Sequence, residues 1–599
     1  AIVLRIYPML VRLAARLVNA GAGLSVSLGL MQVVRNSAQY TRLTLLLMMA
    51  VAVGSFAASY STTTDQSYKD RAAYETGADL HAMSQGQTAL PLPAADNDAK
   101  LRAVPGVANA TGVIRTKAGL ATPGIVSQDT QLLGVDQSAL RGMLWWRNDF
   151  ATKPLDTLLD SLASPAVLPG TPLPGNSGTL SIWVKGDKSL ADVTFWARVR
   201  DAEDRISIVE LGKLDTGGEW KQFSADVHSN FESLTAPLTL VSLNFTEIPN
   251  RFNTNYTPLL LDDLTLTDPG GKTTVIESFD SGLRWSTFVA RTPHQDAIEI
   301  THDGAHSGAG AAKITFRTEG SSDIRGIYST PQPLPLAALA SESFLRSTGL
   351  HLGSSTTLVV GKTTLVPITI AGVYNLFPTL PSEDGPSLVV NRDQLMTWAE
   401  TASFAIGSDI VPTEAFLSLK PGADSAAVSK AIITKEFGIA SVDSKAAQLD
   451  SNRRNPLIAA GGSGILFVSF VAMLVLVSAA LLVSLLTSVG RRRVEFAVVR
   501  SMGVSRGQIF RMLALEYAIV AVAGTAVGAA LGLVVGRQML SFLDVTEQGT
   551  KIEPGFVLHT EWGVVAIAVG VVLVVFATAL VLATRVVARI ADSQALRTE

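Results

Sequence analysis

Four runs of about twenty apolar residues, one near the start of the chain and three near its end, constrain this sequence most. Leu43 to Tyr60 is the first, bounded by Arg42 and by the polar run Ser61 to Asp65. Ile458 to Val489, Tyr517 to Leu540 and Trp562 to Thr584 follow far downstream. The expected fold class is a membrane protein with four transmembrane α-helices, one plus three. A large extracytoplasmic α+β domain that carries an inserted β-sandwich then fills the chain between the first two spans. The expected spans contain no acid, lysine or histidine, which ion pathways and proton relays need, and this argues against a channel or an ion-coupled carrier.

Charge sets the orientation, because cytoplasmic loops are enriched in Lys and Arg. The loop after the second span holds Arg491, Arg492, Arg493, Arg500, Arg506 and Arg511 against one acid, Glu495. Arg35 and Arg42 precede the first span, and Arg585, Arg589 and Arg597 follow the last. The loop between spans three and four carries Asp544, Glu547 and Glu553 against Lys551. Both ends and the Arg-rich loop are therefore expected in the cytoplasm of a cell-membrane protein, with residues 61–457 outside.

The expected organisation is a connector over 1–40, a first span over 41–61, an α+β part over 62–170, a β-sandwich over 171–325 and a second α+β part over 326–457. A second span over 458–489, a cytoplasmic loop over 490–516, a third span over 517–540, an outer loop over 541–561, a fourth span over 562–584 and a tail over 585–599 complete it. Residues 1–34 read as an amphipathic interfacial segment in preference to a fifth span, because Arg5, Arg12 and Arg16 sit at helical spacing on an apolar background. The start is read as truncated, just after an upstream membrane helix. The Ile458 run is longer than a bilayer requires, so it is a candidate for continuing outward as a stalk.

Between the spans the pattern changes twice. Residues 166–174 read as a Pro-rich linker. Short alternating strands follow, at Thr179–Val184, Val193–Val199, Leu238–Leu243, Leu259–Leu266 and Ala311–Phe316, separated by polar turns. Mixed character then returns. Strands near Thr357–Val360, Val366–Val373, Ser387–Val390 and Glu414–Leu419 precede a helix at Asp424–Phe437, as in a split βαβ unit.

Composition excludes several chemistries. A net charge of −3 gives no basic excess for nucleic acid. The absence of cysteine excludes disulfides, thiolate metal sites and cysteine nucleophiles. No cofactor, metal centre or catalytic residue is expected. Gly361-Lys362-Thr363 resembles the end of a phosphate-binding loop, but Thr356 stands where the first glycine belongs and the context is strand–turn–strand. Trp183 and Trp196 sit inside strands and are expected in the sandwich core; stacking on a sugar is the rarer use of such rings. Asp262 and Asp263 are an ordinary turn-proximal acid pair before they are a glycan or calcium site.

Two patterns point to helix mechanics. Gly524, Gly528, Gly532 and Gly536 recur every fourth residue and make one smooth face, which permits close helix approach in lipid. In the Arg-rich loop, Glu495 to Arg500 is expected as a short surface helix that Gly503 stops, with Ser505 capping the helix of span three. Such a helix, joined to two spans, can carry force from a soluble partner; a merely topogenic basic flank is the alternative.

These loop residues resemble the FtsX/MacB-like permease family of ABC transporters. The family pattern there is Arg-Glu-x-Gly-x-x-Arg-Ala-x-Gly followed by Gln-Ile. Glu495, Arg500, Gly503 and Gln508-Ile509 match it, whereas Val494 separates Arg493 from Glu495 and Ala497 replaces a glycine. Arg35-Asn36, Tyr74, Gly77 to Leu80, Val104 to Val107 and Gly349 to Pro378 are also similar to the family. The resemblance covers nearly everything except 170–325, an insertion that resembles galactose-binding-like jelly rolls.

The resemblance implies a permease subunit that works with a separate cytosolic ABC ATPase, as a homodimer or paired with a second permease in the lipid bilayer. Arg493, Glu495, Arg500, Gly503 and Gln508 would form the coupling element. A reading from another class stays open, in which the chain is a membrane-anchored receptor whose sandwich captures glycans without an ATPase.

Overall fold

The computed structural model describes residues 37–85, 89–91, 94–120, 129–163, 170–175, 178–202, 205–228, 234–246, 255–287, 296–317, 324–329, 335–361, 364–402, 410–454, 464–491, 506–543, 551–560 and 562–595. The chain divides into two units, one of Ala1–Ala72 with Gln448–Glu599 and one of Ala73–Ala447.

The first unit is built on four helices, α1 (Ser37–Thr76), α2 (Ile465–Arg491), α3 (Arg506–Leu543) and α4 (Trp562–Ala595). Each contains a stretch long and apolar enough to cross a membrane. Leu43, Leu47 and Val51 of α1, Val477 and Leu481 of α2, Tyr517 and Val520 of α3, and Val572 and Phe576 of α4 share one buried cluster. Phe467, Val468 and Val475 of α2 are about two-thirds exposed, an arrangement that suits lipid and not water.

The apolar run of the first span ends near 61, and α1 continues beyond it to Thr76 through polar residues. One-turn pairs sustain it. Lys69 and Asp65 form a 2.7 Å ion pair and Gln66 donates to Asp70. The segment immediately before α2, where an outward stalk was expected, lies outside the described residues.

In the second unit the strands run in chain order as β1 (Leu80–Ser84), β2 (Val107–Leu120) and β3 (Thr130–Val135), then the inserted β4 (Thr171–Pro172), β5 (Thr179–Gly186), β6 (Thr194–Arg200), β7 (Ile206–Lys213), β8 (Lys221–Asp226), β9 (Thr239–Thr246), β10 (Thr257–Thr267), β11 (Thr273–Glu277), β12 (Ser286–Thr287), β13 (Ala297–Thr301), β14 (Ala311–Phe316) and β15 (Ile324–Tyr328). After the insertion come β16 (Leu336–Ser341), β17 (Ser355–Val360), β18 (Thr364–Tyr374), β19 (Ser387–Asn391), β20 (Glu414–Leu419) and β21 (Ile439–Ser444).

Their sheet has the order β17-β18-β16-β19-β3-β2-β20-β1-β21, and β17 also pairs with β2. The first six strands thus close into a barrel. Alternate residues such as Ile114, Leu132, Ala338, Leu358, Ile368 and Leu388 pack in one cluster with Trp398 of the helix Arg392–Ala402. The last four strands, with helices Ala94–Ala103 and Ser425–Ile432, make the expected split βαβ layer in β1-α-β2-β20-α-β21 order. Asp424 caps the second of these helices by accepting from the Ala426 N–H.

The 14-residue strand β2 belongs to both parts: Val107 to Val113 pair with β20, and Ile114 to Ala118 with β3. Two buried charge clusters hold it at the crossing. On one side Arg392 meets Asp98 at 2.7 Å and donates to the Gly112 carbonyl, while Asp98 accepts from the Gly112 N–H at 2.6 Å. On the other side Glu414 accepts from Arg115 at 2.7 Å and lies 2.9 Å from His81. Arg115 also donates to the carbonyl and hydroxyl of Thr379, whose N–H donates to the Tyr74 carbonyl in the last turn of α1. Gly77, at φ +69°, ends that helix by donating to the Ala73 carbonyl.

The insertion is a sandwich of two antiparallel sheets, β13-β14-β10-β5-β8 with β11 and β12-β15-β9-β6-β7 with β4. Leu180, Ile182, Phe195, Val199, Leu261, Ile314 and Trp285 fill its core. Its strands run from Thr171 to Tyr328. Thr171–Pro172, expected in the linker, instead adds a short strand beside β9.

Burial would raise the Glu414 carboxyl, but the His81 hydrogen bond and the Arg115 charge outweigh it and hold the group at about 2. A folded-state value below the unfolded one contributes stability that is present above about pH 4.5 and lost as pH falls through about 2. Glu414→Gln is therefore expected to destabilise the second unit by about 3 kcal/mol at pH 7, with the deficit shrinking towards pH 2. Thermal and denaturant unfolding of the full chain over pH 2–7 checks this.

Candidate functional site

The coupling element lies largely beyond view: Arg493, Glu495, Arg500 and Gly503 fall outside the described residues, as does the expected Ser505 cap. Gln508 stands exposed on the first turn of α3, which begins at Arg506, and Arg511 is exposed one turn later.

The glycine face of α3 is fully described, and it lies on α1. A Cβ on Gly524 would meet the Leu47 side chain at 3.0 Å. On Gly528 it would come within 2.6 Å of the Met48 carbonyl oxygen, and on Gly532 within 2.6 Å of the Ala52 carbonyl oxygen. Real Cβ atoms do not approach a fixed backbone so closely, so these two positions need glycine. At Gly536 only the Phe56 ring comes near, at 3.9 Å. The partner of the stripe is thus another span of the same chain, a point that spacing left open.

One expectation about the spans is corrected. The apolar stretch of α3 runs from Ala514 to Met539 and includes Glu516, which is fully buried. Hydropathy begins the apolar run at Tyr517 and so places the acid in the preceding loop, whereas the helix starts at Arg506 and carries Glu516 inward beside the buried Tyr517.

In the sandwich, Asp262 and Asp263 organise a loop. Asp262 accepts from the backbone N–H groups of Asp263, His306 and Ser307, and Asp263 accepts from the His306 ring and the Ser307 hydroxyl. All four carboxylate oxygens are thereby used. Burial pushes the Asp262 carboxyl up, against the Ser307 and His306 N–H groups that hold it down. No group of three or more His, Asp or Glu able to hold a metal occurs among the described residues.

The expected core placement of Trp183 is overturned. Its neighbours Ile182 and Val184 point into the core, so Trp183 points out, and the His306 ring stacks on it with centroids 3.9 Å apart and planes 16° apart. Trp220 meets the same imidazole edge-on at 5.7 Å and donates its Nε1–H to the Gly304 carbonyl. Trp196 is also outside the sandwich core. It is buried with Ile324 and Tyr328 on the outer side of the other sheet, where Tyr328 lies 6.1 Å from Trp398 of the barrel helix. That contact seats the insertion on the barrel. Period-2 alternation alone does not say which side of a strand is core, because both sides are buried here.

Sequence reasoning passed over the buried charge clusters. The available signal was a charged residue inside an apolar strand run, as with Glu414 before Ala415-Phe416-Leu417. The partner was out of reach, since His81 lies 333 positions away.

Gly528→Ala and Gly532→Ala are each expected to lower the stability of the helical unit by about 1–3 kcal/mol. Gly536→Ala is expected to change it by less than about 0.5 kcal/mol. Thermal unfolding of the detergent-solubilised chain, followed by helical circular dichroism, separates the three.

Comparison with known proteins bears on the helical unit. No curated protein matches the chain. Residues 467–591, nearly all of α2, the whole of α3 and most of α4, match the family model described as FtsX-like permease C-terminal. With four helices long and apolar enough to cross a membrane and a sheet-rich unit between α1 and this region, the chain is a multi-pass membrane protein whose residues 467–591 are similar to the C-terminal domain of FtsX-like permeases.

Proposed function

We propose that this chain is the permease subunit of an ABC transporter, coupling ATP hydrolysis by a separate cytosolic subunit to motion of its sheet-rich unit outside the cytoplasm. The observation that carries the reading is the family match over α2 to α4, combined with a sheet-rich unit of some 370 residues after a helix that runs unbroken from Ser37 to Thr76. An uninterrupted helix is a stiff rod, so displacement at one end reaches the other. The loop over 490–516 is where the ATPase acts. Arg493, Glu495, Arg500, Gly503 and Gln508 form the contact, and the excess of arginine keeps this loop in the cytoplasm. Two permeases, alike or different, pair in the bilayer.

The role suits export, extraction or signalling, since none of these requires a substrate to pass between the spans. The glycan-receptor reading loses its support in the sandwich, where His306 covers the Trp183 ring and the acid pair is used on the loop.

Purification in mild detergent with mass spectrometry of co-purifying proteins tests the reading. A cytosolic ATPase is expected with the wild-type chain, and Arg500→Glu is expected to remove it. Recovery of no ATPase with the wild type overturns the function; undiminished recovery with the variant overturns the role of Arg500.

A further inference from the structure

The segment between α3 and α4 is not a passive turn. Residues 551–560 lie along the polar extension of α1 and are fastened to it at two levels. At the lower level the Thr62 hydroxyl donates to the His559 carbonyl at 2.8 Å, and the His559 N–H donates to the Thr63 hydroxyl at 3.2 Å. Both backbone groups of one residue are thus taken by adjacent threonines, the reciprocal pattern of a β-ladder made with side chains. At the upper level the Arg71 guanidinium sits 5.0 Å from the centroid of the Phe556 ring.

The spacing is consistent with one continuous contact. Thr62 to Arg71 advances about 13 Å along a helix, and His559 back to Phe556 covers about 10 Å of extended chain. The long Arg71 side chain spans the remainder. The segment therefore runs antiparallel to α1, and His559 is followed within three residues by Trp562, the first residue of α4.

We infer that residues 551–560 are a strap that binds the extension of α1 to the outer ends of α3 and α4. Within the apolar zone α1 is already held by the glycine face of α3. That contact works through close packing, which resists separation more than sliding or tilting. The strap supplies directional bonds beyond the apolar stretch, where the polar helix has no lipid to confine it. Any displacement of α4 along its axis is then delivered to α1 at Thr62, Thr63 and Arg71 rather than dissipated in a loop. The mechanical role belongs to this chain alone and does not rest on the identity of the ATPase.

The chain lacks cysteine, so introduced thiols report without background. In the full chain in lipid nanodiscs, Thr63→Cys with His559→Cys is expected to cross-link oxidatively at least about tenfold faster than Thr63→Cys with the exposed Val557→Cys, because the His559 N–H reaches the Thr63 hydroxyl at 3.2 Å while no contact joins Val557 to Thr63 among the hydrogen bonds that fasten the segment. In a second arm, spin labels at Lys69→Cys and Trp562→Cys are expected to give one narrow distance distribution by electron–electron double resonance. Adding Thr62→Ala, Thr63→Ala and Arg71→Ala is expected to split or broaden it. Equal cross-linking rates for the two pairs, or a distribution unchanged by removal of the anchors, overturns the strap.

Discussion

The sheet-rich unit depends on how one strand is held where it changes partners. β2 leaves the split βαβ layer and joins the barrel within three residues, and a strand there has no single sheet to fix its register. Asp98 and Arg392 clamp Gly112 from one side, and Glu414, Arg115 and His81 clamp the next residues from the other. Buried ion pairs add little net stability over apolar packing, because desolvation offsets attraction. Their value here is geometric: a buried charge tolerates one partner arrangement, so it fixes the register where apolar side chains would permit several. Arg115 extends the same network to Thr379 and on to the last turn of α1.

The helical unit is held by a different principle. In lipid no hydrophobic gain accompanies helix association, so shape decides. Gly528 and Gly532 let the α1 backbone approach to a separation that any side chain forbids. Most of the remaining surface of α2 and much of α4 is large, apolar and exposed, as it must be where the solvent is hydrocarbon. The fully buried Glu516 shows that the interior is not uniformly apolar at the end of α3 nearest the Arg-rich loop.

The sandwich carries the same lesson in reverse. Its aromatic and acidic residues have the composition of a ligand site, but the geometry turns them inward on the protein's own loop. Three acids, Asp262, Asp263 and Asp280, accept hydrogen bonds from residues 306–310, and Trp183 provides the surface on which His306 lies. On its other side the insertion rests on the barrel through Tyr328 and Trp398. It is thus a seated module, and its own packing accounts for the residues that suggested recognition.

Much of this protein was legible in the sequence because the forces concerned are local or periodic. Length and apolarity of the runs determined the one-plus-three helices, period-2 alternation marked the sandwich strands, and the glycine spacing announced a packed face. Hydropathy marked only the apolar part of α1, since the one-turn polar pairs that prolong the helix carry no hydropathy signal. Only the tertiary structure decided which helix the glycines meet, which side of each sandwich strand faces the core, and that the barrel and the split layer share a strand. Those outcomes rest on contacts between residues hundreds of positions apart, such as His81 with Glu414 and Thr62 with His559. A one-dimensional pattern states what each residue needs, and only the folded chain determines which partner supplies it.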